Sequence, residues 1–156
     1  MLIYIMRHGQ AQIHANSDEA RPLTQQGLRD VHYAALWLKT QTSSFDIALI
    51  SPYLRAQQTA EKILAVVPAV QHASDSTLIP SGDETQAVDY LSYLCSQGVQ
   101  SLLLVSHMPL VGELVREVAH QPASTVFATS DIVCVDAKMV HEQLTGKIVA
   151  RYTKES

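Results

Sequence analysis

Long apolar runs, paired cysteines and an excess of positive charge are all missing from this 156-residue sequence. No stretch approaches the roughly 20 apolar residues that a membrane-crossing helix needs. The first apolar run, Leu2-Ile3-Tyr4-Ile5-Met6, is short and has no basic region before it, so neither a signal peptide nor a membrane span is expected. Lys and Arg number 11 against 15 Asp and Glu, a net charge of -4. A general nucleic-acid binder needs the opposite balance to neutralise phosphates, so any anion site must be local. The two cysteines, Cys95 and Cys134, lack metal-type or redox-type spacing and read as reduced core thiols of a cytoplasmic protein. No histidine pair has the helical spacing of a metal site, and no cysteine stands near a histidine at ligand spacing. There is no Walker sequence and no Gly-rich dinucleotide fingerprint. No cofactor and no metal are expected, and repeats, linkers and low-complexity segments are absent.

What is present suits one compact domain over residues 1-156, with 47% apolar and 17% charged residues. Strands and helices alternate through Pro122. The run at residues 2–6 reads as a buried strand ending at Arg7-His8-Gly9. Thr24 can cap a helix running to about Gln41, with Leu28, Val31, Ala35 and Leu38 on one face. A second strand, Phe45 to Ile50, leads through Ser51-Pro52 into a helix with Ala56, Ala60, Ile63 and Val67 on one face. Residues 68–82 show little periodicity and read as the loosest part of the chain. Asp83 begins a helix with Ala87, Leu91 and Leu94 inward, ending at Gly98. The strand Ser101 to Val105 then precedes Ser106-His107-Met108-Pro109 and a helix burying Val111, Leu114 and Val118. Residues 132–135 and 147–152 read as a hairpin whose connection contains Gly146. This order predicts an α/β three-layer sandwich: a mostly parallel mixed sheet, helices on both faces, and a C-terminal antiparallel hairpin.

Three strands thus deliver His8, Arg7, Arg55 and His107 to one edge of one sheet, the edge where open α/β sheets bind ligands. A neutral imidazole is a good nucleophile toward phosphorus near pH 7. Planar guanidinium groups meet paired phosphoryl oxygens bidentately. His107, as imidazolium, could donate to a phosphoryl oxygen, although the nearby arginines oppose its protonation. His14, His32, His72, His120 and His141 have no such placement and read as surface or loop residues.

Arg7-His8-Gly9, the stretch Ser51-Pro52-Tyr53-Leu54-Arg55-Ala56-Gln57-Gln58-Thr59, Ser106-His107 and Arg21-Pro22-Leu23-Thr24-Gln25-Gln26-Gly27 together resemble the histidine phosphatase superfamily, the phosphoglycerate-mutase-like proteins. Ser17-Asp18, Ile79-Pro80-Ser81-Gly82-Asp83 and His107-Met108-Pro109-Leu110-Val111-Gly112 extend the resemblance toward a short bacterial branch of phosphohistidine phosphatases. It covers most of the chain and is weakest in the tail. The resemblance implies that His8 is the phosphorylated nucleophile and that Arg7, Arg55 and His107 complete the phosphate pocket. Gly9, Arg21 and Ser51 join the substrate-binding set. It also implies a metal-independent enzyme with the first strand near the centre of the sheet.

Larger members carry an acidic proton donor on an insertion between Arg55 and His107, for which this chain has no room. Asp18, Asp83 and Glu84 remain as candidate acids, and Asp83 reads equally well as a plain helix N-cap. A phosphoester releases an alkoxide and needs such a donor. A phosphorylated imidazole that is already protonated leaves as a neutral ring. The resemblance implies removal of the phosphoryl group from histidine on a phosphotransfer (HPt) or phosphocarrier protein, and the lack of an acid-bearing insertion accords with it. The alternatives are a small-molecule phosphomonoesterase of the same superfamily and a non-catalytic phosphoprotein-binding module. A monomer is the expected state, with no nucleic-acid or membrane partner.

Overall fold

Ile3 and Ile5 face one side of β1 (Leu2–Arg7), Tyr4 and Met6 the other, and all four are buried. A strand apolar on both faces must be covered twice, which places it inside a three-layer structure. The computed structural model describes residues 1–154 and has that architecture. After β1 come α1 (Gln25–Gln41), β2 (Phe45–Ile50), α2 (Leu54–Leu64), β3 (Ala69–Ser74) and a 3-10 turn at Ser76–Leu78. Then follow α3 (Glu84–Ser96), β4 (Ser101–Ser106), α4 (Leu110–Ala119), β5 (Ile132–Val140) and β6 (Gln143–Tyr152). The six strands form one mixed sheet in the order β3-β2-β4-β1-β5-β6. The first four run parallel, whereas β5 is antiparallel to β1 and β6 to β5.

Alternation along the central strands sorts the core into two layers. Ile3, Ile5, Leu102 and Leu104 pack against Leu91, Leu94, Val111 and Leu114 of α3 and α4. Tyr4, Met6, Leu103 and Val105 pack against Val31, Leu38, Ala60 and Ile63 of α1 and α2. The chain therefore leaves β1 toward one face and leaves β4, its neighbour, toward the other. The loops after these strands diverge and open a crevice at their carboxyl ends.

Three expectations change. Residues 68–82 hold β3, an edge strand paired only with β2 and exposed along nearly its whole length. It buries no face, so its sequence carries no hydrophobic alternation to read. The second helix stops at Leu64, and Val67 is buried beyond its end rather than on its face. The hairpin turns at His141-Glu142, both at positive φ, and Gly146 lies within β6 opposite Ala137. Two-residue hairpin turns of this kind favour Asn and Gly, and neither marks this one. At Gly146 a side chain would meet Val135 Cγ1 and the Asp136 carbonyl, both at 2.7 Å, so the glycine serves close packing.

The β1–α1 connection is pinned at Gln10. Its carbonyl accepts from Thr24 N–H at 3.0 Å, and Thr24 Oγ1 caps α1 by accepting from Gly27 N–H at 2.9 Å. A Cβ at Gly27 would collide with the Gln10 carbonyl, which is backbone and cannot rotate away. Gly27→Ala should therefore destabilise the protein by about 1–3 kcal/mol, overriding the gain in helix propensity of about 1 kcal/mol. Urea unfolding measures this, and a stabilised variant would contradict the close approach.

Candidate active site

The carboxyl ends of β1, β2 and β4 stand at one level, because Met6 and Ile50 both pair with Val105. The ladder continues one step beyond the strands: His8 N–H donates to the Ser106 carbonyl and Ser51 N–H to the Val105 carbonyl, each at 3.0 Å. His8, Ser51 and His107 consequently emerge side by side. Arg55 joins them from the first turn of α2. The rings of His8 and His107 are 5.0 Å apart, tilted by 58°.

His8 is buried, and its Nδ1 lies 2.7 Å from the Gly9 carbonyl. A carbonyl only accepts, so Nδ1 carries the ring proton and Nε2 presents its lone pair. Arg55 Nε donates into that lone pair at 3.3 Å. Burial, followed by the charges of Arg55, Arg7 and Arg21, pushes the His8 pKa down to about 4, against the opposing bond to Gly9. The imidazole is therefore neutral at pH 7, as a nucleophile must be.

Arg55 is itself buried; it donates from Nη1 to the Asp18 carbonyl at 2.7 Å and from Nη2 to Asp18 Oδ2 at 3.3 Å. Its guanidinium carbon lies 5.1 Å from the centre of the Tyr53 ring. Arg7 donates from Nη1 to the Phe127 carbonyl at 2.8 Å, while its buried Nε has no partner among the described residues. His107 Nε2 lies 2.6 Å from Ser51 Oγ, and its buried Nδ1 likewise has no partner. Burial, then the neighbouring His8 and Arg55, lowers the His107 pKa to about 3. The ring is thus neutral at pH 7, burial adding to the opposition from the arginines that the sequence already suggested. A buried N–H without an acceptor costs about 1–3 kcal/mol. Nitrogens at Arg7 and His107 without a partner among the described residues, with Arg55 close by, suit an anion.

Of the remaining candidates, Gly9, Ser51, Arg21 and Asp18 contact this cluster, whereas no contact ties Asp83 or Glu84 to it among the described residues. Gly9 N–H is committed to Thr59 Oγ1 at 3.0 Å, and Ser51 touches His107. Arg21 lies at the rim, donating from Nε to the Gln12 carbonyl at 2.6 Å and from Nη1 to Asp18 Oδ1 at 2.9 Å. Asp18 thereby bridges Arg21 and Arg55. The Arg21 bond above all holds its carboxyl below the usual range, which suits an ion pair rather than a proton donor. Asp83 caps α3, accepting from Thr85 N–H at 2.9 Å, and Glu84 lies in the field of Arg116.

Sequence reasoning missed two supports. Thr59 accepts from Gly9 N–H and donates to the Arg55 carbonyl at 2.7 Å, tying the loop after His8 to α2. Its position four residues after Arg55, on the same helix face, was the available signal. Asp131 is a buried carboxylate in the field of Arg7, and its backbone carbonyl accepts from Arg7 N–H at 3.1 Å. Nothing in its local sequence marks it.

The sequence matches the profile of the histidine phosphatase superfamily (branch 1) over residues 3–79. It is 40% identical over 136 residues to phosphohistidine phosphatase SixA of Escherichia coli, covering 86% of this chain and 84% of that one. The chain belongs to the histidine phosphatase superfamily. A SixA homolog of Haemophilus influenzae is 42% identical over 125 residues, covering 75% and 76% of the two chains. The structure of the protein histidine phosphatase SixA complexed with tungstate superposes with a TM-score of 0.92 at 35% identity, over 99% of this chain and 97% of that one. The α/β sandwich and its C-terminal hairpin are those of this family.

Two outcomes are expected. Both imidazoles resist protonation in the folded histidine phosphatase, with pKa values of about 4 and about 3 against an ordinary 6.5. Below pH 6.5 the unfolded chain binds the extra protons. Stability should therefore be full above that pH and fall progressively toward pH 4 and below. Urea unfolding between pH 7 and 4 should show a steeper loss for the native chain than for His8→Asn, and parallel curves would count against it. Thr59→Val, which leaves Gly9 N–H without an acceptor, should cost about 1–3 kcal/mol, and Thr59→Ser much less. Equal losses in the two variants would refute the hydroxyl bridge.

Proposed function

We propose that this histidine phosphatase hydrolyses phosphohistidine on a phosphotransfer (HPt) or phosphocarrier protein, through a phosphorylated His8. The observation that carries the reading is a pair of buried nitrogens without a partner among the described residues, Arg7 Nε and His107 Nδ1, on the residues whose ring or charge neighbours His8. In the first step His8 Nε2 forms a bond to phosphorus as the bond from phosphorus to the substrate imidazole breaks. The electron pair returns to the substrate nitrogen. Arg55 gives up Nε2 to phosphorus and turns its donors to the phosphoryl oxygens, with Arg7 and His107 on the others. In the second step a water oxygen attacks phosphorus, the bond to His8 breaks, and phosphate leaves. Charge stabilisation and positioning supply most of the catalysis in such transfers.

The choice of substrate follows from the missing acid. Asp18, the candidate acid bonded to Arg55, is held as a carboxylate by Arg21 and Arg55. A phosphoester would then lose its alkoxide without help, whereas a protonated phosphoimidazole departs as a neutral ring. A protein-borne substrate also fits the rim. Ile13 and Val126, 81% and 75% exposed, stand on the segments that supply Asp18 and the Phe127 carbonyl. Cys95 and Cys134 are both free thiols, which suits a reducing cytoplasm. The enzyme acts there as a monomer, without metal or cofactor. Among the described residues no helix is long and apolar enough to cross a membrane.

The test uses the purified protein with a phosphorylated phosphotransfer domain, a phosphorylated phosphocarrier and a panel of sugar phosphates. Phosphate release from the phosphohistidine proteins should dominate. His8→Ala should lower it by on the order of 10³-fold or more. Mass spectrometry after an alkaline quench should find phosphate on His8 in the native chain. Undiminished turnover in the variant, or faster hydrolysis of sugar phosphates, overturns the proposal.

A further inference from the structure

Ser51 ends β2 fully buried, and its hydroxyl has a defined direction. Its Oγ accepts from Tyr53 N–H at 3.3 Å and lies 2.6 Å from His107 Nε2. A hydroxyl has one proton to give. Tyr53 N–H donates to this oxygen, and among the described residues the one acceptor in reach of that proton is Nε2. A ring nitrogen that accepts carries no proton, which puts the single proton of neutral His107 on Nδ1. That atom is buried and without a partner among the described residues. The ring is held on two sides, by the Tyr53 ring at 5.2 Å and 70° and by the His8 ring at 5.0 Å. An imidazolium would instead have to donate from Nε2 to Ser51, with Arg55 and Arg7 both opposing its charge.

We propose that Ser51 is a positioning residue: by donating to Nε2 it fixes His107 as the neutral Nδ1–H tautomer and turns that N–H into a donor to the phosphoryl oxygen. His107 then stabilises charge without supplying a proton to the leaving group. Ser51, grouped from sequence with the residues that bind substrate, acts through His107 instead. The phosphoryl acceptor rests on the function proposed above; the tautomer does not.

The experiment is a long-range proton–nitrogen correlation spectrum of the full chain labelled with nitrogen-15 histidine, at pH 7, with His107 assigned by comparison with His107→Gln. The expected spectrum has a protonated Nδ1 and an unprotonated Nε2, and inorganic phosphate should move the Nδ1 signal more than the Nε2 signal. Ser51→Ala should shift His107 toward the Nε2–H tautomer. It should also lower kcat/KM on a phosphohistidine protein by about 10- to 100-fold, the loss usual when the group orienting a functional imidazole is removed. A proton on Nε2 in the native chain, or protons on both nitrogens, overturns the proposal even if the variant does not fold. So does a folded Ser51→Ala with native tautomer and native turnover. The expected tautomer in a protein inactive on phosphohistidine would support the role of Ser51 and remove the substrate assignment alone.

Discussion

Arg55 donating from Nε into the Nε2 lone pair of His8, at 3.3 Å, is the contact around which the rest of the site is arranged. Guanidinium is always a donor, so the contact holds only if the imidazole nitrogen is unprotonated. The Gly9 carbonyl accepts from Nδ1–H, so the one proton of the neutral ring sits there and not on Nε2. Burial and three arginine charges then make protonation costly. The imidazole of His8 and the guanidinium of Arg55 thus keep each other in these states.

Holding Arg55 there takes a second ring of contacts. Asp18 grips one end of its guanidinium, and the Tyr53 ring lies near its guanidinium carbon. Thr59 locks its carbonyl to the loop that carries His8. On the opposite side Ser51 orients His107, and the Phe127 carbonyl holds Arg7. Arg7 is less fully satisfied than Arg55: its buried Nε has no partner among the described residues. Preorganised donors of this kind need little rearrangement when charge develops, and in a dry site they act with more force than in water.

The four groups predicted to share a sheet edge do so, and the reason was visible locally. Each follows an apolar run of strand length that stops at Gly, Ser or Pro, and parallel strands terminate at a common level. The helices α1, α3 and α4 were legible from their caps and apolar faces. The strand β3 was not, because an exposed edge strand buries no face and so has no pattern to leave in the sequence. The hairpin turn at His141-Glu142 was hidden for a related reason: tight pairing of β5 with β6 imposes positive φ on two residues that do not advertise it.

What the sequence by itself determined is the inventory: two histidines and two arginines, all gathered where core strands end, on a chain without an acid-bearing insertion. Periodicity and turn chemistry are local, so local reading reaches them. Only the tertiary structure decided the state of each group. Which nitrogen of His8 carries its proton, that His107 is neutral, and that Asp18 is an ion-pair partner of Arg55 all depend on contacts between residues far apart in the chain. Hydrogen-bond partners and desolvation set protonation, and both exist only once the strands have brought those residues together.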